Sequence, residues 1–277
     1  MSTVSEALDW ATAQLRESDD ARLDSQVLLA YALNVSRTWL FTWPDKALDG
    51  ATLTAFSALI DERKSGIPIA YITGYRDFWS LRLKVTPDTL IPRADTELLV
   101  ETALTLKNIE KPCDVIDLGT GTGAIALSLA NECPSWHITA TDINPKTLAV
   151  AKENATALGL AVSFKESAWF DAISDRFDLI ISNPPYIESD DPHLQQGDLR
   201  FEPAGALASG KDGLDDIRLL VKQALKHLKK DGYLLLEHGY QQAEAVRSLM
   251  AKAGYIDIET HQDIEDRDRV TLGKIPT

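Results

Sequence analysis

From Asp114 onward the chain alternates short apolar runs with amphipathic stretches, and few folds accept that rhythm. Apolar, often β-branched segments predict strands at 114–118, 137–142, 162–166, 177–182 and 233–237. Helical spacing predicts helices over 123–132, 145–158, 214–229 and 241–253. Strands separated by helices pair in parallel, which points to a doubly wound α/β sheet. The punctuation agrees: Asn144-Pro145 places proline at a first helical position, and Gly159 and Gly254 stand where helices should end. The tail breaks the rhythm. Residues 255–262 and 269–274 read as two strands joined only by a short charged segment, so they should pair antiparallel.

The chain before this region has a different period. Residues 1–73 predict a small helical bundle. Val4, Ala7, Leu8, Ala11 and Leu15 share one helical face. A second helix is expected over 21–33, with Leu23, Val27, Leu28 and Tyr31 inward and Asn34 as its stop. Residues 36–41 suit a short helix, and Leu53, Phe56, Leu59 and Ile60 mark another, ended by Gly66 and Pro68. No residue pattern here suggests catalysis, and a helical module in front of an enzyme suits substrate docking. Residues 74–92 then predict a β-hairpin linker. Residues 80–85 alternate polar and apolar, Pro87-Asp88 is a turn signal, and Thr89 to Ile91 can run back. Residues 93–277 form the expected α/β domain, opening with a helix over about 95–106.

Charge and composition exclude several classes. The 277-residue chain has a net charge of −14. Nine basic and twelve acidic residues lie in 1–92, so most of the excess acid falls in the α/β region. A nucleic-acid binder relies on Lys and Arg to displace counterions from phosphates, and this balance opposes that role. No run is long and apolar enough to span a membrane, and the first residues lack the basic and apolar segments of a signal peptide. The cytoplasm is the expected location. Two cysteines and five scattered histidines form no metal-like spacing.

The first strand runs into Gly119-Thr120-Gly121-Thr122-Gly123 and then a helix. Glycines there permit a sharp turn and the close approach of a ligand. The Gly-x-Gly-x-Gly spacing is tighter than the dinucleotide fingerprint. Asp117 lies just before the loop, where it suits a cationic sulfonium with an amino acid tail. Asp142 ends the next strand, where an acid can accept ribose hydroxyls. Trp169 follows the third strand at the same end of the sheet and can pack on an adenine ring or serve as a core tryptophan. These features favour S-adenosyl-L-methionine over NAD as cofactor.

The fourth strand ends at Asn183-Pro184-Pro185-Tyr186. Neither proline can donate a ladder hydrogen bond, so the chain leaves the sheet in a stiff turn. The Asn183 oxygen and the Pro184 carbonyl can each accept a hydrogen from a planar substrate nitrogen, and the Tyr186 ring can cover its flat face.

That tetrapeptide resembles the signature of methyltransferases acting on adenine N6 or on glutamine amides. The wider pattern narrows the choice. Phe78-Trp-Ser80, Leu90-Ile-Pro-Arg93, Asp117 to Gly123, Asn183 to Tyr186 and Arg200-Phe-Glu-Pro203 together resemble the bacterial protein-(glutamine-N5) methyltransferases of the PrmC/HemK family. The resemblance runs end to end. It implies the methyltransferase form of the doubly wound fold and methylation of the glutamine in the Gly-Gly-Gln motif of class 1 peptide chain release factors. It implies cofactor contacts at Gly119 to Gly123, Asp142, Trp169 and Asn183, and amide contacts at Asn183, Pro184, Pro185 and Tyr186. Release factors are then the partners, with no direct nucleic-acid or membrane contact. Two positions depart from the family pattern: Ala94 follows Ile-Pro-Arg where proline is usual, and Ala168 stands where an acid often precedes the aromatic. The alternative is a nucleic-acid adenine-N6 methyltransferase.

Overall fold

The structure, a computed structural model, describes residues 2–18, 20–107 and 110–276. Met1 and Thr277, the outer limits of the expected domains, lie outside the described residues. Two compact units emerge. One comprises the residues up to Tyr75 together with Gln196–Phe201, and the other comprises Arg76–Gln195 and Glu202 onward.

The first unit is helical: α1 (Val4–Gln14), α2 (Ala21–Leu33), α3 (Arg37–Thr42), α4 (Gly50–Lys64) and α5 (Ile69–Thr73). Local signals set its helix starts. Thr3 and Glu6 form a capping box on α1, and the Ser36 and Asp49 side chains cap α3 and α4. Its core gathers Val4, Leu8, Leu28, Leu40, Phe56 and Ile60. The inward face of α2 differs from the expected one. Leu23 is 39% and Tyr31 44% exposed, while Asp24, Leu28 and Leu29 are buried. The helix is turned by one position because Asp24 accepts from Arg63 Nε at 2.8 Å and from the Ser18 hydroxyl at 2.8 Å. The same arginine donates to Ile67 O and to Asp198. The short α5 was not expected, since Pro68 reads as a stop; it serves instead as the N-cap residue.

The chain then forms a two-stranded ribbon, β1 (Tyr75–Phe78) and β2 (Leu81–Lys84), joined by Trp79-Ser80. The partner of the 80–85 strand is therefore the segment before it, and residues 89–91 form no strand. Local bonds explain this. Thr89 donates to Thr86 O, its hydroxyl accepts from Thr86 N, and Ile91 N donates to the Glu202 carboxylate. The backbone groups a strand would need are thus already used.

The main sheet contains β3 (Asp114–Leu118), β4 (His137–Asp142), β5 (Ser163–Glu166), β6 (Phe177–Ser182), β7 (Leu228–Glu237), β8 (Ile256–Gln262) and β9 (Asp268–Lys274). Their order across the sheet is β5-β4-β3-β6-β7-β9-β8. The first five run parallel, and β9 joins β7 and β8 antiparallel, as expected. The helices are α6 (Glu97–Leu106), α7 (Ala124–Glu132), α8 (Pro145–Leu158), α9 (Asp215–His227) and α10 (Ala243–Ala253). Strand β7 starts earlier than expected because Leu228 already pairs with Phe177 across an irregular register.

Alternate residues of each strand face opposite sides. On one side Val115, Leu179 and Leu235 pack with α6 and α7 residues such as Leu99 and Leu127, and with the buried free thiols Cys113 and Cys133. On the other side Ile116, Ile180 and Leu234 pack against α9 and α10 through Ile217, Leu220 and Val246. Helices on both faces leave only the strand ends open, and the carboxyl ends of β3, β4, β5 and β6 meet at one edge.

Candidate active site

A cavity of about 520 Å³ lies at those carboxyl ends, within the α/β unit. Its wall includes Gly119, Thr120, Gly121 and Thr122 after β3, Asp142 at the end of β4, Trp169 after β5, and Asn183 and Pro185 after β6. Four separate strand ends thus converge on one space. Gly123, Pro184 and Tyr186 are not part of the wall.

The glycine loop is built for close approach. Gly121 has φ +58°, and a Cβ added there would meet nothing within 4 Å. Its side toward the cavity is open, so a ligand can approach its backbone. Gly123 has φ +86° and a different role: a Cβ there would lie 2.9 Å from Leu127 Cδ1. It lets the chain turn tightly into α7 and caps that helix. The loop is tied at both ends. Gly121 N donates to Asp142 Oδ2 at 3.1 Å, and Thr122 O accepts from the buried Asn154 side chain at 2.9 Å. Asn154 also exchanges hydrogen bonds with both backbone groups of Lys84, so α8 fixes the loop and β2 together.

The acids at this edge are strongly desolvated. Asp117 is fully buried and accepts from the Thr120 hydroxyl at 2.6 Å and from Ala126 N, yet burial still pushes its pKa to about 7. Its Oδ1 has no hydrogen-bond partner. Asp142 is 9% exposed; burial raises its pKa while the Asn144 and Gly121 backbone amides oppose the shift. Each Asp142 oxygen accepts one backbone amide and retains a lone pair for a ligand hydroxyl.

Trp169 holds a positive φ of 50°, an uncommon conformation for a bulky side chain. Its indole N–H donates to Asp216 at 3.1 Å, and its ring lies so close to Gly119 that an added Cβ would sit 3.4 Å from it. Asp216 is itself held by the Ser209 hydroxyl at 2.6 Å and lines the cavity. An acid therefore reaches this wall from α9, although Ala168 occupies the position where one was looked for.

Asn183 follows directly on β6. Its Nδ2 donates to the Thr96 hydroxyl at 3.0 Å, and both residues line the cavity. Pro184 is buried. Tyr186 turns inward instead: its phenol donates to Glu237 Oε1 at 3.2 Å, and burial raises its pKa. Leu90, Pro92 and Arg93 also line the cavity, and Glu202 holds their segment: its buried carboxylate accepts from Ile91 N at 3.0 Å and pairs with Arg93. Thr96, Asn154, Asp216 and Glu237 escaped the sequence reading. For Asp216 and Thr96 no local pattern exists. Glu237 carries a usable signal, an acid directly after the apolar run 233–236 at a strand's carboxyl end, the place Asp142 holds on its own strand.

The donor set fits S-adenosyl-L-methionine. The volume lies in the range of roughly 300–1,000 Å³ that holds a drug-sized ligand. An open glycine backbone, a carboxylate with free lone pairs and an indole line the same space.

Comparisons with known proteins agree in kind. Residues 6–74 match the PrmC N-terminal domain family, and residues 94–204 match the methyltransferase small domain family. A crystal structure of a methyltransferase from Pyrococcus furiosus, 17% identical, superposes with a TM-score of 0.55 over 80% of this chain and 98% of that one, which supports the fold alone. The release factor glutamine methyltransferase of Shewanella oneidensis is 48% identical over 276 residues, covering 99% of this chain and 96% of its own. That of Vibrio cholerae is 49% identical over 280 residues, covering 99% and 98%. At this identity, over nearly the whole of each chain, the protein belongs to the release factor glutamine methyltransferase family.

Proposed function

We propose that this enzyme transfers a methyl group from S-adenosyl-L-methionine to the side-chain amide nitrogen, N5, of the glutamine in the Gly-Gly-Gln motif of class 1 peptide chain release factors. The observation that carries this reading is Asn183. It stands on the cavity wall with its amide nitrogen committed to Thr96, which leaves its carbonyl oxygen as an acceptor beside the glycine loop and Asp142.

When bound, S-adenosyl-L-methionine supplies a methyl group on a positively charged sulfur. Gly119 to Gly123 shape the space for it, Asp142 accepts ribose hydroxyls, and Trp169 and Asp216 offer a flat face and an acid for the adenine. Asn183 Oδ1 and the Pro184 carbonyl take the two hydrogens of the glutamine amide. An amide nitrogen is a poor nucleophile because its lone pair is delocalised. Holding both hydrogens fixes that nitrogen's direction, and orientation of this kind contributes roughly 7–11 kcal/mol in the best intramolecular cases. Pro184 and Pro185 make the turn stiff enough to hold the geometry. Tyr186 supports the site from behind, through Glu237, rather than covering the substrate.

Residues 1–73 dock the protein substrate on this reading, and the reaction takes place in the cytoplasm. Among the described residues no helix is long and apolar enough to cross a membrane. The net charge of −14 weighs against a polyanionic substrate.

Incubation with methyl-labelled S-adenosyl-L-methionine tests the proposal. Label is expected in a class 1 release factor and is lost when the glutamine of its Gly-Gly-Gln motif is replaced by alanine. Label in adenine of DNA or RNA, with none in the release factor, would overturn it.

A further inference from the structure

The turn from Asn183 to Tyr186 has to keep its shape with few backbone donors of its own. Pro184 and Pro185 carry no N–H, so the first backbone donor after Asn183 is that of Tyr186. The chain is pinned at that residue. Tyr186 N donates to Leu207 O at 3.2 Å, and the phenol donates to Glu237 Oε1 at 3.2 Å. The Tyr186 carbonyl accepts from Gln242 Nε2 at 3.0 Å. Three separate segments thus hold the polar groups of one residue. Gln242 stands at the N-cap of α10. Its Oε1 accepts from Gly239 N at 2.8 Å, and its Nε2 also donates to Asp212 O at 3.4 Å. Gly213 packs its backbone against the same contact. It has φ +69°, and a Cβ added there would lie 2.1 Å from Tyr186 O and 2.8 Å from Gln242 Nε2. Neither Gly213, Gly239 nor Gln242 lines the cavity.

These partners demand opposite things of one side chain. The Gly239 N–H needs an acceptor, and the Tyr186 carbonyl needs a donor. A primary amide supplies both, whereas an ionised carboxylate only accepts. We propose that Gln242 is a positioning residue for methyl transfer: its amide ties the Tyr186 carbonyl to the Gly239 turn and so holds the Asn183 oxygen and the Pro184 carbonyl in place, with Gly213 leaving the room that this contact needs. Strand β6 fixes the turn at one end and Tyr186 fixes it at the other. The prolines between them transmit the hold because each has its φ locked. This rests on the reading that Asn183 and Pro184 take the two hydrogens of the substrate amide.

The test is Gln242→Glu in the full-length enzyme. The variant keeps an oxygen for Gly239 N and sets a second acceptor against the Tyr186 carbonyl. A carboxylate at the N-terminus of α10 is favourable, so the urea midpoint should not fall. Methylation of a release factor at saturating concentrations of both substrates should fall about 10–100-fold, the scale of a small misplacement. Affinity for S-adenosyl-L-methionine, measured by calorimetry, should match wild type. Gln241→Glu is the control: it adds the same charge one residue away, where the side chain meets only the Tyr240 hydroxyl, and should turn over like wild type. Gly213→Ala presses on the same carbonyl and should add little to the loss in Gln242→Glu. If Gly213→Ala fails to fold, the glutamine variants decide alone. A second readout needs no ligand. The carbonyl carbon signal of Tyr186, from ¹³C-labelled tyrosine and assigned by its loss in Tyr186→Phe, should move in Gln242→Glu and stay in Gln241→Glu. Wild-type turnover by Gln242→Glu, an equal loss in Gln241→Glu, a loss that tracks a lower urea midpoint, or an unmoved Tyr186 signal would each overturn the proposal. Full turnover by Asn183→Ala is a different outcome: it defeats the assigned function itself, and the Tyr186 signal still decides whether Gln242 holds that carbonyl.

Discussion

The two units bury polar groups in opposite ways. In the helical unit the buried Asp24 is satisfied by Arg63 and Ser18, Gln26 accepts from Arg37, and Ser25 donates to Ala21 O. In the α/β unit Asp117 and Glu237 are fully buried acids, each with one oxygen left without a partner. Among the described residues, every buried side-chain nitrogen or oxygen lacking a partner belongs to the α/β unit. Unsatisfied buried groups cost stability, and among the described residues that cost falls on the α/β unit alone. The helical unit carries no such debt and can serve as a stable platform.

The largest effect that would sharpen this contrast is expected at Arg63. Arg63→Ala leaves Asp24 buried with only a serine partner, and removing one member of a buried pair costs about 3 kcal/mol or slightly more. Urea denaturation followed through the helical unit should show it. Adding Asp24→Asn should recover part of the loss, because the uncompensated charge disappears. Cofactor affinity should not change; a parallel fall in affinity breaks the separation between the units.

Glu237 provides the next test, through pH. Its folded pKa of about 7 lies above the ordinary 4.5, so the folded state holds the proton more tightly. That contribution to stability is fully present below pH 4.5 and is lost as pH rises through 7, a change of roughly 3 kcal/mol. Asp117 acts in the same direction. Glu237→Gln should therefore gain stability relative to wild type between pH 5 and pH 8, measured by urea denaturation at both. A constant difference would show that Glu237 is not the strained group described here.

The smallest expected effect is at Asp142, whose carboxylate has lone pairs to spare. Asp142→Ala should weaken S-adenosyl-L-methionine binding by about 1–3 kcal/mol in calorimetry and leave the helical unit's unfolding untouched. Equal affinities in variant and wild type would remove Asp142 from the cofactor site.

The α/β unit was the more legible from sequence, and its punctuation explains why. Gly159 and Gly254 do cap helices in the left-handed conformation, and Pro145 does open α8. The glycine loop, Asp142, Trp169 and Asn183 stand at strand ends on one cavity, as strand–loop spacing implies. What escaped was whatever depends on distant partners. The face of α2 was misjudged because an ion pair between residues 24 and 63 outweighed an apolar stripe. The return strand at 89–91 failed because Glu202, 111 residues away from Ile91, takes its backbone amide. Thr96 meets Asn183 across 87 residues, and Tyr186 meets Glu237 across 51. No local window contains such pairs.

The two cysteines carry a practical consequence. Burial pushes the Cys113 thiol to about 12 and the Cys133 thiol to about 11, so almost no thiolate exists near neutral pH. Alkylating reagents attack the thiolate, and here they also lack access. Both thiols sit in the core on one side of the sheet, and the first 75 residues contain none. Uptake of iodoacetamide is therefore a clock that ticks only when the α/β unit opens, and it runs without any engineered label. Timed with and without S-adenosyl-L-methionine, it reads directly how firmly the methyl donor holds that unit shut.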